Sequence, residues 1–127
     1  MQQYLGLSHE YGKTDCIRLI KYFYENELNI SFDLPEYDKS KRWVRNFNLE
    51  QLNYWIAKYA VKISLTSAQN YDLIVFKSKN NVINHFGMFL LPNSMLHIEE
   101  NNVSKIEMLD DYWIDSIYSV YRHEQLV

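Results

Sequence analysis

A stripe of hydrophobic side chains near the start of the chain predicts an amphipathic helix. Four apolar residues recur at helical spacing: Cys16, Leu19, Ile20 and Phe23. Such a repeat places them on one face of a helix. Either Thr14 or Asp15 can cap its start, because both side chains accept hydrogen bonds from the free backbone N–H groups of a first turn. Cys16 is therefore predicted in the first turn, and the helical pattern fades over residues 25–29.

A second helix is predicted beyond residues 31–42, a polar stretch with one proline that has the composition of a loop. Asn46 or Asn48 can cap the start of this helix. Its apolar positions at helical spacing are Leu52, Trp55, Ile56, Tyr59 and Ala60. Residues 61–66 then form either a short strand or a continuation of the helix.

The second half of the chain changes to short apolar runs separated by polar turn residues, which is the pattern of β-strands. The predicted strands are residues 71–76, 82–91, 95–99 and 103–108. Residues 113–121 are ambiguous, and we assign them to a strand because they are rich in β-branched and aromatic side chains. Helices followed by a run of antiparallel strands predict an α+β fold.

Composition narrows the class of protein. A length of 127 residues, with 47% hydrophobic and 23% charged residues, is typical of one folded domain over residues 1–127. The formal net charge of −3 argues against non-specific binding to nucleic acid. No apolar stretch approaches the ~20 residues of a membrane helix. The first residues lack the pattern of a secretory signal, so we expect a soluble product made in the cytoplasm.

The single cysteine, Cys16, is a candidate nucleophile. One cysteine excludes an internal disulfide and any zinc site that needs several thiolates. At a helix N-terminus, the unpaired N–H groups and the helix dipole stabilise a thiolate, which is the reactive form. The alternative is a buried structural cysteine on the helix stripe, because free cysteine is among the most buried residue types.

Two of the four histidines lie in consecutive predicted strands and are candidate partners for such a thiolate. A turn centred on Leu91 would place His85 and His97 directly opposite each other. A turn centred on Asn93 would keep them on one face of the sheet but offset along the strands. If they meet, one imidazole can serve as the base while the other orients it. The alternative is a pair of half-buried strand histidines.

Several segments, in order along the chain, resemble the NlpC-type cell-wall cysteine peptidases. Residues 6–20, GLSHEYGKTDCIRLI, are similar to the catalytic motif of that family. The positions that match are Gly6, Gly12, Asp15, Cys16, Leu19 and Ile20. Residues 72–76, 84–90 and 95–98 resemble three of its strands, with His85 and His97 at a spacing close to the usual one. Residues 34–37 (LPEY) and 106–123 resemble bacteriophage tail-tip members.

The resemblance implies a papain-like fold with N-terminal helices packed on an antiparallel sheet of about five to six strands. It implies that Cys16 is the nucleophile, His85 the base and His97 the residue that orients it. It assigns His9 and Asp15 to oxyanion and substrate binding, and it implies no metal or other cofactor. The implied reaction is hydrolysis of an amide bond in peptidoglycan stem peptides, through a thioester on Cys16.

For a phage member, the resemblance implies a location in the virion tail after synthesis in the host cytoplasm. The implied partners are peptidoglycan stem peptides and other tail-tip proteins, with no nucleic acid and no membrane. The implied role is local penetration of the cell wall. A peptidase carried to the wall inside a particle needs no secretory signal, which agrees with the first residues of this chain.

Departures from the family pattern keep a second hypothesis open. Ile17 and Arg18 replace the small pair that follows the catalytic cysteine, and Lys13 and Tyr71 replace glycines. Where a glycine served a positive φ or a close backbone approach, a larger residue introduces strain. The alternative is therefore a catalytically idle structural or assembly protein of the tail tip. A third hypothesis is a metal site built from three histidines, His9, His85 and His97.

Overall fold

The structure of the chain is a computed structural model that describes residues 1–32 and 45–127. The helices are α1 (Cys16–Glu27), α2 (Arg45–Tyr59) and α3 (Asp111–Asp115). The strands are β1 (Ala60–Ile63), β2 (Leu73–Lys77), β3 (Ile83–Leu90), β4 (Ser94–His97), β5 (Lys105–Met108) and β6 (Ile117–His123). Most of the predicted loop over residues 31–42, including the segment LPEY, lies outside the described residues.

The first predicted helix is confirmed, and Asp15 rather than Thr14 caps it. One oxygen of the Asp15 carboxylate accepts from the Arg18 N–H at 3.0 Å, and the other accepts from the Gly12 N–H at 2.8 Å. The carboxylate thereby satisfies one of the N–H groups that a first helical turn leaves without a helical partner. The helix ends at Glu27, inside the interval where its hydrophobic repeat fades.

The second predicted helix is also present, but its predicted caps are wrong. Helix α2 begins at Arg45, so Asn46 and Asn48 both lie within it. At its other end, Ala60 belongs to β1, so residues 61–63 are a strand, whereas Leu65–Ser67 form a short 3-10 helix. Strand β1 exists because it pairs with the last strand, β6, along residues 120–123. Because β6 is distant in sequence, the local hydrophobic periodicity of residues 60–63 cannot predict this pairing.

All strand pairs in the six-stranded sheet are antiparallel, in the order β1-β6-β2-β3-β4-β5. The predicted α+β class is therefore confirmed. Helix α1 packs on β3 and β4, and helix α2 packs on β3 and β1. Side chains of β2 alternate between two hydrophobic clusters, with Leu73 and Val75 in the larger and Ile74 and Phe76 in the smaller. Both faces of the sheet are therefore covered along this strand.

The prediction of one strand over residues 113–121 is wrong in its first part. The short helix α3 covers Trp113, and β6 begins only at Ile117. The Asp110 carboxylate caps α3 by accepting from the Trp113 N–H at 3.2 Å. The Trp113 ring packs edge-on to Phe76 in the smaller cluster, with ring centroids 5.2 Å apart. Capping and burial of the indole therefore prevail over the strand propensity of these side chains.

Within the described residues, no helix combines the length and the hydropathy needed to span a membrane.

Candidate active site

Cys16 is the first residue of α1 and is almost fully buried, with 1% of its surface exposed. It belongs to the larger hydrophobic cluster. The same cluster contains Phe86 and Leu96, the chain neighbours of His85 and His97. Because α1 packs on β3 and β4, the thiol and both histidines are carried by elements in direct contact. The helix N-terminus favours the thiolate, whereas apolar burial favours the neutral thiol.

The two strand histidines meet, as one of the sequence hypotheses requires. Strands β3 and β4 pair Met88 with Leu96 and Phe89 with Met95, so the turn is centred on Pro92. This centre lies between the two positions considered from the sequence. His85 and His97 are consequently diagonal neighbours, with 2.9 Å between Nε2 of His85 and Nδ1 of His97. Their rings are nearly perpendicular, at 77°.

A carboxylate that the sequence analysis missed extends this pair. Oε1 of Glu107, on β5, lies 2.9 Å from Nε2 of His97. The indole Nε1–H of Trp113 donates to the other carboxylate oxygen at 3.2 Å. His97 has no exposed surface, so both of its ring nitrogens are satisfied inside the protein. In the sequence, Glu107 stands out only as one position of the alternating segment KIEM. That pattern does not indicate that its partner is His97.

Burial and hydrogen bonding together fix the charge states of His97 and Glu107. Burial lowers the pKa of His97 because the charged imidazolium is poorly solvated, although the Glu107 charge opposes the shift. Burial alone would raise the pKa of Glu107. Hydrogen bonds from Trp113 and His97 and the charge of Lys105, 3.5 Å away, outweigh it and lower that pKa. Near neutral pH the pair is therefore a neutral imidazole and a carboxylate.

His85 is enclosed by aromatic rings and borders an open cleft. It is 7% exposed, and its ring centroid lies 5.5 Å from that of Phe76 and 5.7 Å from that of Trp113. The cleft has a volume of about 410 Å³. Its polar lining includes Lys77, Lys79, Asn84, Glu99 and Glu100. Side chains of both charges therefore surround the approach to His85.

His9 and Asp15, the two residues assigned to oxyanion and substrate binding, lie in different settings. The His9 N–H donates to the Asn102 carbonyl at 3.2 Å, and Ser8 forms an isolated β-bridge with Val103. These bonds fasten the N-terminal segment to the connection between β4 and β5. The contacts of Asp15 are those of a helix cap, with an added ion pair to Arg18 at 3.6 Å. The functional assignment of both residues stays a prediction.

The structure accommodates the residues that replace small ones in the family pattern. Tyr71 adopts φ +80°, a left-handed conformation that favours glycine. Its carbonyl accepts a hydrogen bond from the buried hydroxyl of Tyr24. Ile17 is fully buried in the core, and Lys13 is exposed. Ile17 is therefore accommodated by core packing and Lys13 by exposure to solvent, whereas Tyr71 occupies a strained backbone position.

The three-histidine metal hypothesis is not supported within the described ranges. His9, His85 and His97 do not bring their donor atoms together as a group there. The donor atoms that do converge within 4.8 Å belong to His97, Glu99 and Glu107. Two of these three side chains are already hydrogen-bonded to each other.

Comparison with known proteins agrees with this fold. Tail tip assembly protein K of Escherichia phage lambda is 26% identical over 118 residues, which cover 93% of this chain and 58% of that protein. A Staphylococcus aureus structure described as similar to lipoprotein, NLP/P60 family, superposes with a TM-score of 0.66 at 24% identity. It covers 96% of this chain and 38% of that one. An NlpC/P60 family protein from Bacillus cereus superposes with a TM-score of 0.71 at 16% identity. The match covers 96% of this chain and 37% of that one.

The chain thus spans a little over half of the phage relative and well under half of the two solved proteins. The solved structures establish a shared fold. The sequence model of the NlpC/P60 family matches residues 3–122, which include Cys16, His85, His97 and Glu107. Because that match extends over nearly the whole chain, the chain belongs to the NlpC/P60 family.

Proposed function

We propose that residues 1–127 form a cysteine peptidase domain of a phage tail tip, which cleaves an amide bond in peptidoglycan stem peptides. The observation that carries the proposal is the 2.9 Å contact between His85 and His97, on strands packed against the helix that begins at Cys16. Similarity to a tail tip assembly protein over 93% of the chain supports the tail setting. Local thinning of the cell wall and contact with other tail-tip proteins follow from that setting.

In the proposed reaction, His85 accepts the thiol proton of Cys16, and the thiolate adds to the amide carbonyl carbon. The tetrahedral intermediate collapses and expels the amine, which takes the proton from His85. The acyl group remains on Cys16 as a thioester. Water then adds to the thioester with His85 again as the base, releasing the carboxylic acid and the thiol. His97 holds the His85 ring in place, and His9 is the proposed donor to the oxyanion.

A second candidate function rests on burial of the nucleophile. Cys16 is 1% exposed and the adjacent Ile17 is fully buried, whereas attack requires a path from solvent to the sulfur. This observation favours a structural tail component that keeps the family fold without hydrolysis. The charged cleft beside His85 would then serve contact with another protein.

Digestion of purified peptidoglycan separates the two functions. We expect the wild-type protein to release muropeptides and Cys16→Ala to release none above background. Loss of the base in His85→Ala should slow release by about 10²- to 10⁴-fold. His123→Ala is the matched control, because this histidine, which is half-buried, lies at the end of β6 and packs against Tyr24 and Phe32. Equal release by wild type and Cys16→Ala would refute the enzymatic proposal.

Thiol alkylation tests the thiolate–imidazole pair without a substrate. The single cysteine makes the signal specific. We expect wild-type Cys16 to react well below the ordinary thiol pKa of ~8.5, and His85→Ala to lose that reactivity. An unreactive thiol that is indifferent to His85→Ala would instead support the structural function.

A further inference from the structure

We propose that Glu107 is a positioning residue of this site, which acts through His97 to place the lone pair of His85 on Nδ1. The inference rests on the proposed function and extends it by one residue. It follows from the direction of three hydrogen bonds that link four side chains on β3, β4, β5 and α3.

The chain of hydrogen bonds begins at Trp113. An indole N–H can only donate, so Oε2 of Glu107 is an acceptor in its 3.2 Å contact with Trp113. Lys105 lies 3.5 Å from the carboxylate, and the hydrogen bonds that the carboxylate accepts hold the pKa of Glu107 below its usual value, although burial opposes them. Glu107 is therefore ionised and offers only acceptors to its neighbours.

The ionised carboxylate sets the tautomer of His97. A 2.9 Å contact between Oε1 of Glu107 and Nε2 of His97 requires the proton on Nε2. His97 is fully buried and neutral, so its Nδ1 carries a lone pair and no proton. The charged groups that act on this ring are Glu107, Glu99 and Lys105.

His97 in turn sets the tautomer of His85. Because Nδ1 of His97 is an acceptor, the 2.9 Å contact requires Nε2 of His85 to donate. Neutral His85 then has its lone pair on Nδ1, the nitrogen left to accept a thiol proton. Without the carboxylate, His97 can adopt the other tautomer and donate from Nδ1. That change would move the proton of His85 to Nδ1 and block its action as a base.

The same carboxylate acts again when His85 is protonated. The positive charge on the His85 imidazolium is stabilised by an anion two hydrogen bonds away, across a buried ring. Removing that anion should therefore raise the barrier of the chemical step and leave ground-state binding of substrate unchanged. By analogy with the partners that orient metal-bound histidines, whose loss costs about 10- to 100-fold in activity, we expect a loss of that size here.

The test is Glu107→Gln, which preserves the shape of the side chain and removes its charge. We expect kcat for muropeptide release to fall by about 10- to 100-fold with KM unchanged. Glu124→Gln is the control, because it removes the same charge from an exposed position beyond the end of β6, outside the cleft that borders His85. Glu107→Asp should recover part of the loss. EDTA is present throughout, since His97, Glu99 and Glu107 offer converging donor atoms to a stray cation.

Long-range ¹H–¹⁵N spectra of the histidine rings read the tautomers directly. In the wild type we expect protonated Nε2 and bare Nδ1 on His97, and in Cys16→Ala, which has no thiol proton to transfer, we expect the same state on His85. In Glu107→Gln we expect mixed tautomers at both rings, which a merely structural role would not produce. A wild-type spectrum with a proton on Nδ1 of His97 would overturn the inference even if the variant failed to fold.

The two proposals fail in distinguishable ways. An active wild type with an unaffected Glu107→Gln and unchanged tautomers would overturn the positioning role and leave the peptidase proposal standing. A wild type without hydrolysis would refute the peptidase proposal, while the ring spectra would still decide the role of Glu107.

Discussion

His97 shows most clearly how one residue of this site depends on its surroundings. It has no exposed surface, its Nδ1 bonds to His85, and its Nε2 bonds to Glu107. A buried imidazole with both nitrogens satisfied resists protonation, because burial lowers its pKa. The residue can therefore hold its neighbour in one orientation through a pH range where free histidine titrates.

The residue-scale prediction concerns acid. In the unfolded chain His97 takes up a proton near the ordinary pKa of ~6.5, whereas in the folded protein it does so only at lower pH. Stability is therefore lost as the pH falls below ~6.5. The lowered pKa of Glu107 adds a loss of the same sign below ~4.3.

Urea unfolding at pH 7.5, 6.5 and 5.5 measures the effect. The free energy of unfolding should fall across this series in the wild type, and by less in His97→Asn. Part of the fall should persist in the variant, because burial also lowers the pKa of His123. Parallel pH profiles for the two proteins would contradict the assignment to His97.

At the scale of elements, the start of α1 depends on one carboxylate. Asp15 is 2% exposed and joins the Gly12 N–H, outside the helix, to the Arg18 N–H inside it. The cap therefore fixes both the helix start and the approach of the preceding loop, which together set the position of Cys16. Gly12 contributes a left-handed backbone at φ +84°, which its lack of a Cβ permits.

Removal of this cap should be measurable. Asp15→Ala should lower the free energy of unfolding by about 1–2 kcal/mol, and Asp15→Asn by less, because an amide oxygen can still accept a hydrogen bond. Asp111→Ala is the control, since Asp111 is exposed and Asp110 provides the cap of α3. Equal losses for Asp15→Ala and Asp111→Ala in denaturant titrations would argue against the capping role.

At the scale of the whole molecule, the last strand, β6, joins the two parts of the sheet on either side of it. Strand β6 lies between β1 and β2, so the C-terminal part of the chain occupies the interior of the sheet. An ion pair joins Arg122 of β6, which is partly exposed, to Asp72, the buried residue before β2. The Arg122 guanidinium donates to both oxygens of Asp72, at 3.0 and 2.9 Å, and Asp72 has no exposed surface.

Breaking this pair should cost more than breaking a surface pair. Asp72→Asn should lower the free energy of unfolding by about 2 kcal/mol, since the buried amide keeps only one acceptor oxygen for the hydrogen bonds that the carboxylate accepts from Gln69 and Arg122. The double variant Asp72→Asn/Arg122→Gln should lose less than the sum of its parts. Lys13→Ala, which breaks the exposed pair with Glu10, should change little. A small effect of Asp72→Asn in calorimetry would show that strand pairing alone holds β6.

Sequence reasoning captured the parts of this protein that local rules govern. The repeat Cys16, Leu19, Ile20 and Phe23 determined α1, since a helical stripe needs no distant partner. Apolar runs determined β2 and β3. Alternation along strands determined that His85 and His97 share a face, whichever residue centres the turn. These features predicted the fold class and three members of the candidate site, Cys16, His85 and His97.

Tertiary structure decided the rest, because the deciding contacts join residues distant in sequence. Strand β1 is a strand because β6 is available to pair with it, and Trp113 is helical because Asp110 caps it and Phe76 packs against it. Glu107 reaches His97 only through the register of β5 on β4, which no local pattern specifies. The sequence thus determines the local elements and the candidate side chains. The packing of the sheet determines their hydrogen-bond partners, which set the protonation states of the site.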